Sequence, residues 1–406
     1  MVIISNGFSK FHLSVAASEA NRRGILSAFL TGAYSTALVR SVLSLPGLRS
    51  NPKLNRLLAR AEPIDDNRVH ALFLPELMYH YAIRFNNQSA LVASLRAYGR
   101  AAIPHVKRAT LQNARIYHYR AGFGGDSLTV ARELGLMTLC DHSACHPAVV
   151  EDLVNNRGEL RHETDAETVS NFWRYIQSDI DRADAVLLNS AFVETTFRFV
   201  GCEGSRLHVI YLGVDDAFLS RVPQRRSAGE EIRLLFAGHF NKWKGAGVVI
   251  DAIRRLGDFS WRLEIAGTLH PQVVKENQEF FSDPRVKSLG MLSRKDLAGV
   301  MTQADVFLCP SFAEGSARVI FEALACGCYV ITTPNSGSIV EDGIHGALIP
   351  PGDSQSMAEA IEFANAHRSR IAEIGRNNSL CVRANYRQNN YGDQLEALYK
   401  RLLDKS

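Results

Sequence analysis

Short apolar runs that end at glycine or proline alternate with helical patterns through the C-terminal half of this chain. The run Ile232–Ala237 ends at Gly238, and residues 245–256 then carry apolar side chains at helical spacing. The alternation continues with predicted strands at Trp261–Ala266, 286–289, 305–309 and Tyr329–Thr332 and predicted helices at 292–304, 319–325 and 354–367. Strands that alternate with helices indicate βαβ units and a mainly parallel sheet, so the predicted fold class is α/β.

The N-terminal half repeats the pattern less clearly. Its predicted strands are at 2–5, 25–30, 114–119, 137–141, 185–189 and 207–211, and its predicted helices are at 11–23 and 168–183. A chain of 406 residues is long enough for two domains at roughly 100–200 residues each. We predict two facing Rossmann-like domains, 1–217 and 218–384, with a polar linker around 217–231 and a C-terminal helix, about 385–406, that returns to the first domain.

Composition narrows the class of protein further. Hydrophobic residues make up 46% and charged residues 22% of the chain, which excludes a disordered protein. Seven cysteines without a Cys-x-x-Cys pair favour free thiols and a cytoplasmic location. The chain has no run of 18 apolar residues, so no membrane-spanning helix is predicted. Its short apolar start resembles a first strand rather than a signal peptide.

The charge is distributed unevenly. Residues 1–120 hold 16 basic and 5 acidic residues, whereas residues 121–200 hold 6 and 13. The basic first 120 residues indicate either a phosphate-bearing partner or anionic membrane, or else a solvated basic face. No nucleic-acid partner is predicted. Residues 33–61 contain leucines and basic residues but no acid, so they are either a peripheral contact with the inner face of a membrane or a packed helical hairpin.

Two segments that follow strands carry the chemistry. In a parallel sheet, ligands bind outside the carboxyl ends of the strands. Glu314 and Glu322 lie eight residues apart around a helix start near Ser316, so both carboxylates could share one helix face. The small residues Gly315, Ser316 and Ala317 leave backbone amides free for a diphosphate, and Lys244 can reach the same phosphates.

The stretch 314–327, with the segments that follow it to Asp353, resembles family 4 of the retaining glycosyltransferases. That family has the GT-B fold, and the resemblance is strong over about residues 180–365. It implies a metal-independent transferase that uses a nucleotide-diphosphate sugar, has no cofactor, and acts on a saccharide or lipid-linked acceptor in polysaccharide biosynthesis. Gly238 to Gly245 resembles the family's phosphate-binding segment.

The resemblance also assigns individual residues. Glu314, His142 and Lys244 are implied to be catalytic. The implied donor-binding residues are Gly7, Gly238, His239, Lys244, Glu314, Gly315, Ser316, Ala317, Arg318 and Glu322, and no metal ligand is implied. His142 and His146 both qualify for the histidine that approaches the donor sugar, and His142 is favoured because it lies nearer the strand end.

Four positions depart from the family pattern. His239 stands where the family has an arginine, Ser316-Ala317 replace a Phe-Gly pair, and Arg318 replaces an apolar residue. We expect Lys244 and Arg318 to hold the diphosphate instead. These departures motivate one alternative, a non-catalytic sugar-nucleotide-binding partner of another transferase. The other alternative is a GT-B phosphorylase or epimerase.

Asp179 and Asp181 resemble the metal motif of the other glycosyltransferase fold. They fall within a predicted helix, where residues two positions apart point in nearly opposite directions. The sequence therefore predicts that they lie on a solvated helix face and bind no metal.

Overall fold

The computed structural model describes residues 1–9, 11–43, 60–155, 158–160, 169–220 and 231–404. The first part of the chain contains seven parallel strands in the order β3-β2-β1-β4-β5-β6-β7. The strands are β1 Val2–Gly7, β2 Leu26–Thr31, β3 Val69–Ala71, β4 Ile116–Arg120, β5 Met137–His142, β6 Ala185–Leu188 and β7 Leu207–Val209. The helices are α1 Leu13–Arg22, α2 Ala37–Leu43, α3 Phe73–Arg84, α4 Gln88–Leu111, α5 Gly125–Glu133, α6 Val150–Asn155, α7 Asn171–Asp181, α8 Ala191–Phe199 and α9 Asp216–Leu219.

The second part contains six parallel strands in the order β10-β9-β8-β11-β12-β13. Its strands are β8 Ile232–Ala237, β9 Trp261–Ala266, β10 Val286–Gly290, β11 Val306–Cys309, β12 Tyr329–Thr332 and β13 Gly346–Leu348. Its helices are α10 Ala246–Arg255, α11 Pro271–Glu276, α12 Gln278–Ser282, α13 Arg294–Met301, α14 Arg318–Ala325, α15 Ser354–Ala366, α16 Arg368–Asn385 and α17 Gln388–Asp404.

Both sheets have the doubly wound order of a Rossmann-like domain, so the predicted α/β fold class is confirmed. Burial explains why the strands could be identified: all four residues of β11 and of β12 are buried, as expected where helices cover both faces. The order in which strands are added to the sheet reverses between β1 and β4 in one sheet and between β8 and β11 in the other. A crevice forms outside the strand ends at such a point, which is where a ligand site is expected.

The C-terminal helix α17 packs on the first helix of the chain. Leu395, Leu398 and Leu402 share an apolar cluster with Leu13 of α1. The chain crosses back beside Val214, whose backbone N–H donates to the carbonyl of Tyr386 at 2.8 Å. The last helix therefore returns from the second domain to the first. It places Tyr399 in the apolar core of the first domain.

Asp179 does not lie on a solvated face, so that part of the prediction is wrong. Its side chain is fully buried and accepts hydrogen bonds from the backbone N–H groups of Gly124 and Gly125, at 2.8 and 3.0 Å. Arg182 pairs with the same carboxylate. Asp179 thus caps the glycine-rich loop before α5, while Asp181 is exposed as predicted.

Candidate functional site

The loop between β8 and α10 is fixed against the loop that follows β11. The indole N–H of Trp243 donates to the carbonyl of Ala313 at 2.8 Å, and the amide of Phe312 donates to the carbonyl of Trp243 at 3.1 Å. Gly245 has φ +75°, and a Cβ there would lie 2.2 Å from the carbonyl oxygen of Pro310. Only glycine fits this left-handed, crowded position, and it sets the direction of the neighbouring Lys244.

Lys244 and Glu314 form an ion pair across these two loops. The Lys244 ammonium contacts Oε1 of Glu314, and both side chains are largely withdrawn from solvent. Burial alone would lower the pKa of Lys244, but the Glu314 carboxylate outweighs it and raises that pKa above the usual value. Lys244 is therefore a fixed positive charge, and the structure brings it into contact with Glu314, the other residue that the sequence predicts for this site.

Gly315 lies where the two domains touch. A Cβ on Gly315 would lie 1.7 Å from the carbonyl oxygen of Ser143, which follows β5 of the first domain. The Ser190 hydroxyl donates to the Gly315 carbonyl, and Asn189 donates to the Ser143 carbonyl at 3.1 Å. The backbone next to Glu314 is thus held directly by the first domain, and any larger residue at 315 would separate the domains.

Helix α14 begins at Arg318, two residues later than predicted, so Glu314 lies in the preceding loop. The loop, and not a shared helix face, therefore sets the position of the two carboxylates. The amide of Ala317 donates to the Ser336 carbonyl at 2.9 Å and that of Ile320 to the Ala317 carbonyl at 2.8 Å. Among the described residues, the amides of Arg318 and Val319 have no backbone partner, as expected at a helix start. Arg318 is exposed at this helix start, where an anion would meet both its charge and the free amides.

Glu322 is buried on α14 and is held by a second cation. Arg294 of α13 donates to Oε1 of Glu322 at 3.0 Å and lies 3.3 Å from Asp215. Burial raises the pKa of Glu322, although Arg294 and Arg318 oppose that shift. The carboxylate keeps a second oxygen that can accept hydroxyl hydrogen bonds.

The two candidate histidines follow β5 and are both buried. His142 donates from Nε2 to the carbonyl of Cys145 at 3.2 Å, and the amide of Ala148 donates to Nδ1 of His146 at 3.2 Å. Both rings pack on Phe197. Burial lowers the pKa of each to about 4, with the charge of His142 adding to the shift at His146. Both are therefore neutral near pH 7.

These lowered pKa values predict a stability that falls with acid. The unfolded chain takes up protons near the ordinary pKa of 6.5 and the folded chain only near 4, so their contribution is complete above pH 6.5 and lost as the pH falls towards 4. From pH 7 to pH 5 the free energy of unfolding should drop by roughly 2 kcal/mol per histidine. Urea titrations at both pH values measure this.

The matched variant is His142→Gln with His146→Gln, because His70, His105 and His345 also have lowered pKa values and contribute to the same slope. The double variant should show a shallower dependence on pH than the parent, whatever its absolute stability. An unchanged slope would contradict the assignment of buried neutral imidazoles at these two positions.

Gly7 and His239 lie apart from the ion pair in their contacts. A Cβ on Gly7 would meet the ring of Phe123 at 2.7 Å, and the Gly7 amide donates to the Tyr98 hydroxyl at 3.2 Å, so aromatic residues enclose this glycine. His239 follows Gly238 and bonds the Thr268 hydroxyl of the next loop. Neither residue touches Lys244, Glu314 or Glu322.

A buried polar chain behind the histidine loop was not predicted from the sequence. His12 donates from Nε2 to Asp141 at 2.6 Å, the other Asp141 oxygen lies 3.3 Å from Nε2 of His118, and Nδ1 of His118 is 2.7 Å from the Tyr399 hydroxyl. Burial would raise the pKa of Asp141, but the two imidazoles hold it well below its usual value. The signal in the sequence was a charged residue at the end of an otherwise apolar strand.

Arg294 and Asn335 were also missed. Asn335 donates to the carbonyls of Gly158 and Phe312, at 2.7 and 2.8 Å, and so bridges the domains beside Glu314. Their roles depend on contacts between distant segments.

Within the part of the chain that the structure describes, no three side chains of His, Cys, Asp or Glu gather as a metal site.

The arrangement can bind an anion beside hydroxyl groups. Lys244, Arg318 and the first amides of α14 attract negative charge, while Glu314 and Glu322 can accept hydrogen bonds from hydroxyls on either side of it. Arg294 and Asn335 hold the two glutamate-bearing segments in place. This combination suits a diphosphate that carries a hydroxylated group at each end.

Two kinds of comparison with known proteins show what the chain is similar to. Residues 231–365 match the family described as glycosyl transferases group 1. The chain is 26% identical over 174 residues to the amylovoran biosynthesis glycosyltransferase AmsK of Erwinia amylovora, which covers 40% of this chain and 42% of that protein. The chain therefore spans less than half the length of that relative.

Solved structures match the whole chain. The sucrose-phosphate synthase of Thermosynechococcus elongatus superimposes with a TM-score of 0.70 at 18% identity, covering all of both chains. HepE of Anabaena, crystallised with UDP-glucose, superimposes with a TM-score of 0.63 at 18% identity, covering 99% of this chain and all of HepE. These structural similarities show that the chain has the GT-B fold.

Proposed function

We propose that the protein is a retaining, metal-independent glycosyltransferase of the kind that the sequence resembles. It moves a sugar from a nucleotide-diphosphate sugar to a saccharide or lipid-linked acceptor, in the synthesis of a polysaccharide. The observation that carries the proposal is the Lys244–Glu314 ion pair at the start of α14, with Glu322 buried further along the same helix. HepE, which has the same fold, was crystallised with UDP-glucose, and this supports a nucleotide-diphosphate sugar as the donor. AmsK is named for amylovoran biosynthesis, and this supports a role in the synthesis of a polysaccharide.

The ion pair explains how the empty and loaded sites differ. Without a donor, Lys244 and Glu314 neutralise each other in a partly desolvated position. A diphosphate takes over Lys244, and Glu314 is then free to accept hydrogen bonds from the donor sugar. Glu322 accepts the ribose hydroxyls, and Arg318 with the first amides of α14 adds charge to the diphosphate.

The reaction proceeds by substitution on one face of the sugar. The bond between the anomeric carbon and the diphosphate oxygen breaks while the acceptor oxygen bonds to the same carbon. The acceptor's proton passes to the departing diphosphate, so atoms and charge balance without a protein nucleophile. Lys244, Arg318 and the helix amides lower the barrier because they stabilise charge that grows on the leaving group.

His142 lies behind this face as a neutral imidazole whose Nε2 hydrogen is used by Cys145. Its other nitrogen can only accept a hydrogen bond, which suits a sugar hydroxyl. His142 therefore positions the donor sugar, and His146, whose Nδ1 is already bonded to a backbone amide, has the weaker claim.

Activity should survive removal of divalent cations. The diphosphate charge in this proposal is met by Lys244, Arg318 and backbone amides, so that Mg²⁺ has no charge left to neutralise. Turnover with EDTA should stay within about twofold of turnover with Mg²⁺. Inactivation by EDTA that Mg²⁺ or Mn²⁺ restores would contradict a metal-independent reaction.

A two-stage experiment tests the function itself. Melting temperatures with a panel of nucleotide-sugars identify the donor, because a ligand that binds only the folded state raises the midpoint. NMR of the product, or of slow donor hydrolysis, then reports the configuration at the anomeric carbon. Retention supports the proposal and inversion overturns the mechanism.

Other outcomes separate the alternatives. Tight binding without turnover or hydrolysis would favour a non-catalytic sugar-nucleotide-binding partner of another transferase. Sugar release that needs inorganic phosphate would indicate a phosphorylase, and epimerised donor without acceptor would indicate an epimerase.

A further inference from the structure

The outer face of helix α3 carries large apolar side chains that are exposed among the described residues. They are Phe73 (43% exposed), Leu74 (69%), Leu77 (64%), Met78 (37%), Tyr81 (60%) and, at the helix end, Phe85 (59%). The Tyr81 and Phe85 ring centroids are 4.6 Å apart, so the surface is continuous there. We call these six residues the α3 patch. A soluble monomer rarely exposes so much apolar surface on one helix unless something binds it.

The opposite face of α3 fixes the helix in this orientation. Tyr79 packs on Phe8 with ring centroids 5.0 Å apart. The buried Glu76 carboxylate accepts the amide of Ser9 at 3.2 Å and pairs with Arg60 at 2.6 Å. The helix cannot turn the α3 patch inward without breaking this buried ion pair, which would leave a desolvated charge.

The surroundings of the α3 patch are basic. Between residues 69 and 115 the chain has six Lys or Arg residues and a single acid, the buried Glu76. All six basic residues are exposed: Arg84, Arg96, Arg100, Lys107, Arg108 and Arg115. Of these, Arg100 pairs with Asp126, a solvent-exposed contact of little strength.

Three of the basic residues lie on the face of α4 that includes Ala93, at the groove beside the α3 patch. Helix α4 forms a groove with α3 through Ala90 and Ala93. Arg96, Arg100 and Lys107 follow Ala93 by three, seven and fourteen residues, and residues at these spacings lie along one face of a helix. We call Arg96, Arg100 and Lys107 the α4 ridge, which borders the α3 patch.

We propose that the α3 patch and the α4 ridge dock this protein on an anionic lipid bilayer. The apolar side chains enter the boundary between headgroups and acyl chains, and the basic ridge faces the lipid phosphates. A second copy of the chain fits less well, because a two-fold contact through this surface would bring the two basic ridges together. None of the described helices is long and apolar enough to span a bilayer, so this contact is peripheral. The inference does not depend on the proposed reaction.

Co-sedimentation with vesicles tests the proposal. The full chain should bind vesicles of equal parts phosphatidylglycerol and phosphatidylcholine at low salt, bind pure phosphatidylcholine weakly, and lose binding as salt increases. The triple variant Leu74→Gln, Leu77→Gln, Tyr81→Ser should bind the anionic vesicles more weakly than the parent, by about tenfold or more. The variant Arg84→Gln, Arg96→Gln, Lys107→Gln should lose most of the salt-sensitive part.

The matched control is Leu380→Gln, since Leu380 is 66% exposed on α16 in the other domain. It should bind like the parent, and all variants should keep the parent's melting temperature. Arg60 is left unchanged because it holds Glu76. Absence of binding to anionic vesicles by the parent, or equal loss in the control, would overturn the proposal.

Two further results would assign the surface to another occupant. Sedimentation velocity would reveal a dimer that the Leu74, Leu77 and Tyr81 changes convert to monomer while vesicle binding persists. In that case a second copy covers the α3 patch.

Residues 44–59, which belong to the acid-free segment 33–61, lie outside the described residues. Loss of binding only on replacing Arg49, Lys53 and Arg56 would place the membrane contact there and overturn the role of α3.

Discussion

Glu314→Gln is expected to lower turnover by about 10²-fold or more while nucleotide binding stays within a few-fold of the parent. The amide has the shape of the carboxylate but not its charge, so it holds the sugar hydroxyls and the developing positive charge at the anomeric carbon less well. The change also releases Lys244 from its ion pair, which leaves the ammonium free for the diphosphate. Steady-state rates and isothermal titration with the nucleoside diphosphate measure the two effects separately.

The control for Glu314 is Glu373→Gln, which makes the same change at an exposed position on α16 of the same domain. Its turnover should equal that of the parent. Circular dichroism and the melting temperature show whether the Glu314 variant is folded. A folded Glu314→Gln protein with the parent's turnover would mean that the reacting sugar lies elsewhere.

Glu322→Ala is expected to weaken nucleotide binding by about 10²-fold and to affect turnover at saturating donor much less. Hydrogen bonds to a charged group contribute roughly 1.5–3 kcal/mol each, and two ribose hydroxyls would share this carboxylate. Glu322 lies beyond the helix start that the phosphates approach, so its loss acts on the ground state and the transition state alike. Titration with the free nucleoside and with the nucleoside diphosphate should show the same proportional loss.

Glu322 also pairs with Arg294, so a control must separate ligand contact from structure. Arg294→Gln removes that partner but leaves the carboxylate, and Asp215 lies on the far side of the same guanidinium. Arg294→Gln should therefore weaken nucleotide binding much less than Glu322→Ala. Equal losses in the two variants would show that Glu322 acts only by holding α13 against α14.

The secondary structure of the second domain could be predicted closely from the sequence. β8, β9 and β12 begin and end at the predicted residues. β8 and β12 are short, mostly apolar runs, as expected of parallel strands covered on both faces, whereas β9 alternates between buried and half-buried residues. Helix α3 was missed because its apolar side chains face both the core and solvent, which removes the one-sided pattern that identifies a surface helix. Helix α4 was missed because its buried face includes small residues such as Ser94 and Gly99, and because Pro104 lies inside it.

The candidate site was predictable only in part. The segment after β11 was identified from its own residues, since glutamates, small residues and a helix start can all be recognised within a few positions. Its geometry was not, because α14 begins at Arg318 and leaves Glu314 in a loop whose position is set by Trp243, Asn335 and Ser190. These three residues come from three different parts of the chain.

The sequence by itself determined the α/β class, eleven of the thirteen described strands and the segments that carry Glu314, Glu322 and Lys244, because these features are local and periodic. The three-residue strands β3 and β13 were too short to be recognised. Only the tertiary structure decided that Lys244 neutralises Glu314, that Asp141 is held by two histidines and that the apolar side of α3 faces outward. The physical reason is that burial and charge pairing depend on neighbours from distant segments. No local pattern contains those neighbours, and the packing of the two sheets and the returning C-terminal helix supplies them.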